Sequence, residues 1–238
     1  MDRPSLLVLV RHAESMRNRA KKGNTYFTDE ESRAAVKGIP DHKISLTERG
    51  WQEAEQTGLA LHKHFGVFDY IYHSGYLRTV DTMAGILKAY NYTERNKMKI
   101  RQNMFIRERD SGHAYDMTTE EANAAFPYLQ EYWDMFGGFL ARPPGGESLA
   151  QVCERVYLFL NMLYRDRTGQ KVMVITHGGT LRCFRYLLER WTFEEALTIP
   201  KANPPKNCGV TVYEPAHEGD RMVLKKYNTV YYTNNSAD

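Results

Sequence analysis

Two short apolar runs, far apart in the chain, end in the same way. Leu6 to Val10 is continuously apolar until Arg11 and His12 interrupt it. Lys171 to Thr176, "KVMVIT", has the same character and gives way to His177, Gly178 and Gly179. An unbroken apolar run of this length fits a strand covered on both faces, as in a parallel sheet between helical layers. In each case a short turn and then a helical pattern follow. If both strands enter one parallel sheet, their C-terminal ends reach one edge and carry Arg11, His12 and His177 together. Ligands collect at that edge in open α/β sheets, because helix N-termini and free backbone N–H groups face outward there.

The remaining pattern agrees with such a sheet. "FDYIYHS" at 68–74 reads as a third strand, and "CGVTVYEP" and "RMVLKKYN" as two C-terminal strands joined by the turn "AHEGD". "SLTERGWQEAEQTGLALHKHF" reads as a helix with Thr47 as N-cap. "LRTVDTMAGILKAYN" and "ESLAQVCERVYLFLNMLYRD" carry apolar residues at helical spacing. The aromatic and acidic stretch "TTEEANAAFPYLQEYWDMF", broken at Pro127, predicts one or two short helices above the core. Alternation of strands and helices predicts an α/β fold: a three-layer α/β/α sandwich with a mainly parallel central sheet and a helical cap insertion. The tail from about Thr233 is expected to fray.

Composition narrows the possibilities. A chain of 238 residues with 42% hydrophobic and 26% charged residues suits one domain with a filled core. A net charge of +3 and a single short basic cluster at 17–22 give no footprint for nucleic acid. No apolar stretch approaches the roughly 20 residues that span a bilayer, and with a first strand starting at Ser5 no signal peptide is expected ahead of it. Cys153, Cys183 and Cys208 form an odd, scattered set, which reads as reduced thiols in a cytoplasmic protein. His62 and His64 lie two apart on a helix and make no metal pair; with no HxxxH or Cys/His spacing, neither a metal nor another cofactor is expected.

Six stretches then fall into a familiar order: "VRHAESMRN", "SLTERGWQEA", "SGYLRTVDT", "RERDSG", "GGESL" and "THGG". Together they resemble the histidine phosphatase superfamily in its phosphoglycerate-mutase-like branch, over most of residues 5–215. That resemblance implies a phosphoryl-transfer enzyme with His12 as the nucleophile that becomes a phosphohistidine. It implies Arg11, Arg78 and His177 on the phosphate oxygens, a hydrogen bond from Asn18, and Glu108 as proton donor and then base. The chemistry suits the residue types. Charge grows on the phosphoryl oxygens during transfer, so fixed cations lower the barrier, and arginine offers a planar fork to two oxygens at once. A carboxyl group ionised at neutral pH is no acid, so the role that the resemblance implies for Glu108 requires a bound phosphate dianion and partial burial to keep it protonated.

Three departures bear on activity. Ala13 replaces the glycine of the usual triplet, which a close approach tolerates better than a positive φ. The 19–44 stretch is long: a flap over the crevice, with Lys21 and Lys22 on an anionic substrate, or a solvated mobile loop. The cap insertion, about 109–145, has Arg109 and Arg142 against Asp110, Asp116, Glu120, Glu121, Glu131 and Asp134, which predicts repulsion of the far end of a bisphosphate. His113 and Gly178 are further candidates for substrate contact. The expectation is a single domain over 1–238 acting as a metal-independent phosphomonoester hydrolase on a small phosphorylated metabolite, with inorganic phosphate as product. The alternatives are a bisphosphoglycerate-dependent mutase and a binding protein that holds a phospho-ligand without turnover. No nucleic-acid or membrane partner is expected, and the sequence is silent on oligomeric state.

Overall fold

The computed structural model describes residues 3–216 and 221–233. Its sheet has six strands: β1 (Leu6–Arg11), β2 (Tyr70–His73), β3 (Lys99–Gln102), β4 (Lys171–Thr176), β5 (Val210–Pro215) and β6 (Met222–Thr229), in the order β3-β2-β4-β1-β5-β6. The four strands β3, β2, β4 and β1 are mutually parallel, and β5 runs antiparallel to both β1 and β6. Pairing Arg11 with Thr176 puts the two histidine-bearing strand ends side by side. The sheet is thus mainly parallel, with β5 reversed between β1 and β6. Most of the expected "AHEGD" turn and the tail beyond Thr233 lie outside the described residues.

Alternate side chains of β1 and β4 enter two different cores, which is why both strands are apolar throughout. Leu7, Leu9, Val172 and Val174 pack with Val152, Val156, Phe159 and Phe184 of α8 (Leu149–Asp166) and α9 (Gly178–Glu189). Val8, Val10, Met173 and Ile175 pack on the other face with Leu61 and Ile86, from α3 (Glu48–Phe65) and α4 (Leu77–Leu87). Helix α3 starts at the expected Thr47, whose side chain accepts from Gly50 N. Its Gly50 is required: a Cβ there would fall 2.1 Å from the Glu14 carbonyl oxygen. Cys153, Cys183 and Cys208 are buried free thiols. Among the described residues no helix is long and apolar enough to cross a membrane.

Two insertions cover the C-terminal edge of the sheet. The segment after β1 forms α1 (Met16–Lys21), α2 (Glu30–Ala34) and a 3-10 turn, Asp41–Lys43, around a small core of Phe27, Val36 and Ile44. The cap carries α6 (Thr119–Ala125) and α7 (Leu129–Leu140), separated around Pro127. These insertions bind each other. Phe27 forms a bridge with Thr118, and the buried Arg33 donates to Glu121, Glu30 and the Asp116 carbonyl. The 19–44 stretch is therefore a packed flap docked on the cap in this structure. Elements beyond the sequence reading include β3, whose four residues are all exposed, α5 (Tyr92–Lys97) and α10 (Phe193–Ala202).

Candidate active site

At the end of β1 the chain keeps extended geometry, and His12 N donates to Thr176 O at 2.8 Å. His12 is buried, with its Nδ1 2.7 Å from the Ala13 carbonyl oxygen. A carbonyl only accepts, so Nδ1 carries the hydrogen and the neutral ring has a bare Nε2. Burial, reinforced by the positive Arg78 and Arg11, holds this imidazole well below its ordinary range. The ring is neutral at pH 7, as a nucleophile requires. Ala13 does not have a positive φ and packs beside Leu46, Ala54 and Cys208, so the missing glycine costs no backbone strain.

His177 follows β4 and is fully buried, its ring centroid 5.2 Å from that of His12. A directed chain of hydrogen bonds sets its tautomer. Thr79 Oγ1 donates to Tyr76 O (2.8 Å), which leaves it to accept from Ser74 Oγ at 3.0 Å. Ser74 Oγ then accepts from His177 Nε2 at 2.8 Å, and His177 Nδ1 accepts from Arg78 Nε at 3.3 Å. Burial, then Arg78, His12 and Arg11, hold this ring well below its ordinary range too. In this state the Nδ1 lone pair is taken by Arg78 Nε–H and the ring lies behind the cavity lining, so His177 must gain a proton before it can donate to a phosphate oxygen.

The other candidates separate into two groups. Arg11, Asn18, Lys21, Arg78 and Glu108 line one cavity of about 660 Å³ with His12. Asn18 Oδ1 is taken up by Ser15 N, Ser15 Oγ and Asn207 Nδ2, which leaves its own Nδ2 for a ligand. Lys21 is pushed down to about 7, by burial first and then by Arg17. Gly178 backs Arg11, with a virtual Cβ 3.5 Å from Arg11 Nε. Lys22 does not line the cavity; it is the exposed, left-handed C-cap of α1. His113 lies in a separate depression with Arg33, Asp116 and Glu121.

Glu108 is held by its surroundings. Its carboxylate accepts from Arg109 N at 2.9 Å and from Gly179 N at 3.4 Å. The loop that carries it hangs from side chains: Arg155 donates to the carbonyls of Phe105, Arg107 and Glu108, and Thr180 Oγ1 to that of Arg107. Glu147, from the "GGES" stretch, pairs with both Arg155 and Arg107.

The charge balance of the cap, counted along the sequence, misstates the field in the cavity. Asp110 and Asp116 accept from backbone N–H groups of Gly112 and Gly38, and Glu121 pairs with Arg33. Of the six cap acids only Asp134 lines the cavity. Arg17, Arg109 and Arg182 line it as well, and Arg182 Nε is buried without a hydrogen-bond partner among the described residues. Sequence reasoning missed Asp41, Ser74 and Arg182. Arg182 had a helical-spacing signal, one turn into the helix after His177, and Ser74 opened the "SGYLRTVDT" stretch; Asp41 had none.

Two buried histidines and two arginines at one edge of an α/β/α sandwich define an anion-handling class of protein. Comparison with known proteins makes the family definite. The model of the histidine phosphatase superfamily (branch 1) matches residues 7–229, and the chain belongs to that superfamily. A 2,3-bisphosphoglycerate-dependent phosphoglycerate mutase of Rhizobium etli is 31% identical over 96% of this chain and 99% of its own length. The phosphoglycerate mutase-like protein AT74 of Arabidopsis thaliana is 31% identical over 91% of this chain and 67% of its own. Among solved structures, a putative alpha-ribazole-5'-P phosphatase of Escherichia coli has a TM-score of 0.72 at 17% identity, covering 97% of this chain and 98% of that one. A mycobacterial glucosyl-3-phosphoglycerate phosphatase has a TM-score of 0.69 at 21% identity, covering 95% and 98%. At such identities these two speak for the fold alone.

Proposed function

We propose that the protein is a phosphomonoester hydrolase that works through a phosphohistidine at His12, without a metal, on a small phosphorylated metabolite. The observation that carries this reading is the tautomer of His12: Nδ1 is tied to Ala13 O, and a bare Nε2 remains in a ring that lines a cationic cavity. Nε2 attacks phosphorus as the bond to the leaving oxygen breaks, and Glu108 gives that oxygen its proton. Ionised Glu108 then takes a proton from water, whose oxygen attacks phosphorus and breaks the P–N bond. Inorganic phosphate leaves, and His12 and Glu108 are restored. Arg11 and Arg78 offset the oxygen charge throughout.

A specific observation favours a second reading, a bisphosphoglycerate-dependent mutase. Arg109 and Arg182 line the cavity beside Glu108, where a second anion of a bisphosphate would need cations. One experiment separates the readings. The protein is incubated with phosphate esters without added metal and quenched to trap an acid-labile phosphohistidine, with His12→Ala in parallel. Phosphate release is then compared with isomerisation in the presence of a bisphosphoglycerate primer. The hydrolase reading expects a trapped intermediate in the wild type only, and release far faster than isomerisation. Efficient isomerisation with little release establishes the mutase. Equal phosphate release by wild type and His12→Ala would leave only a binding protein.

A further inference from the structure

Arg78 reaches the cavity with its fork already taken. A guanidinium has five N–H donors. Nε–H goes to His177 Nδ1 at 3.3 Å. Nη1 donates to the Asp41 carbonyl oxygen at 2.7 Å and to Asp41 Oδ1 at 2.9 Å, and Nη2 to Asp41 Oδ2 at 3.1 Å. Only one N–H, on Nη2, is left for a ligand. Asp41 opens the 3-10 turn at the end of the flap and lines the cavity, with its side chain 25% exposed against 5% for Arg78. Tyr115 of the cap donates its hydroxyl to Asp41 Oδ1 at 3.0 Å, and Arg17 and Lys21 add positive potential.

A carboxylate on both Nη atoms is the planar two-oxygen partner that a phosphoryl group would otherwise be. The two cannot hold the fork together. A residue that merely braced an arginine would take one side of the guanidinium and leave the other to the ligand. Here the Nε–H is already braced by His177, and the free end is the one Asp41 occupies. We propose that Asp41 is an internal competitor for phosphate. It holds Arg78 in the empty site, yields when a phosphoryl dianion enters, and returns as inorganic phosphate departs. Its single charge loses to a dianion but competes well with a monoanionic carboxylate, so it sets which anions enter. The inference rests on the reading of the cavity as a phosphate site, and it makes Asp41 a positioning residue that hastens product release.

The test is the affinity of the full-length protein for inorganic phosphate, by calorimetry and as product inhibition of ester cleavage. Asp41→Asn keeps the shape and removes the charge; it is expected to bind phosphate about tenfold more tightly, the scale of one charge-assisted hydrogen bond. Product inhibition deepens by the same factor and KM falls, whereas Asp41→Glu stays near wild type. Tyr115→Phe, which removes only the hydroxyl that restrains the carboxylate, moves affinity the same way by less. Equal or weaker phosphate binding by Asp41→Asn overturns the proposal, since a brace predicts that sign. If Asp41→Asn does not fold, Tyr115→Phe decides, and affinity no tighter than wild type overturns the proposal. If neither wild type nor variants bind phosphate, the phosphate-site reading falls and this inference with it; binding by wild type with no gain in the variant sinks the inference alone.

Discussion

Gly179 and Ser74 each support a side chain of the candidate site in a way that one substitution can expose. A Cβ on Gly179 would lie 2.7 Å from Glu108 Oε1, while its N–H donates to Oε2 of the same carboxylate. Gly179→Ala therefore pushes Glu108 away from its station. Because misplacement by about 1 Å can cost about 100-fold, kcat for ester cleavage is expected to fall by about 10- to 100-fold with little change in thermal midpoint. Steady-state kinetics beside a melting curve checks this, and wild-type kcat in the variant would remove the steric argument. Ser74 is the acceptor for His177 Nε2–H inside the sheet edge. Ser74→Ala leaves a buried donor unpaired, at a cost of about 1–3 kcal/mol in urea unfolding. Unchanged stability would show that the ring finds another acceptor.

At the scale of elements, the flap and cap stand or fall together. Arg33 of α2 reaches across to Glu121 and the Asp116 carbonyl, and Gly38 N reaches Asp116 Oδ2. Arg33→Leu keeps the apolar stem but removes the fork, so limited proteolysis should cut faster within residues 22–40 while the sheet core resists. Cleavage at the wild-type rate would mean that the Phe27, Val36 and Ile44 cluster holds the flap unaided. This docking was illegible in the sequence because its partners lie about 80 residues apart and neither segment has a strong apolar rhythm. By contrast, β1, β4 and α3 were legible to within a residue or two, since period and Thr47's cap are local signals. Strand β3 escaped because all four of its residues are exposed and polar or charged apart from Ile100. Within the site, strand-end histidines announced themselves through the runs that precede them. Asp41 did not: its role depends on meeting Arg78, and nothing about an aspartate after a proline signals that.

Across the whole molecule, two imidazoles buried beside arginines tie stability to pH. His12 and His177 are both held well below their ordinary value, mainly by burial, and His73 is lowered by burial in the same sense. In the unfolded chain each takes up a proton as pH falls through about 6.5. The folded protein refuses that proton until much lower pH, so the unfolded state binds more protons and stability falls with pH. The contribution is fully present above the unfolded value and is lost progressively below it. Each such histidine adds a slope of up to about 1.4 kcal/mol per pH unit once the unfolded form is protonated, near pH 5.5. His177→Asn keeps a polar side chain but cannot titrate, so its unfolding free energy should decline with acid less steeply than wild type by about that slope. Urea unfolding at intervals from pH 7.5 to 5 measures both lines. Parallel lines would mean that His177 is protonated in the folded state as readily as in the unfolded chain. The packing of the two strand ends would then not exclude charge from the ring. Saturating phosphate should act in the opposite direction, because a dianion against Arg78 and His177 favours the protonated ring and flattens the wild-type line.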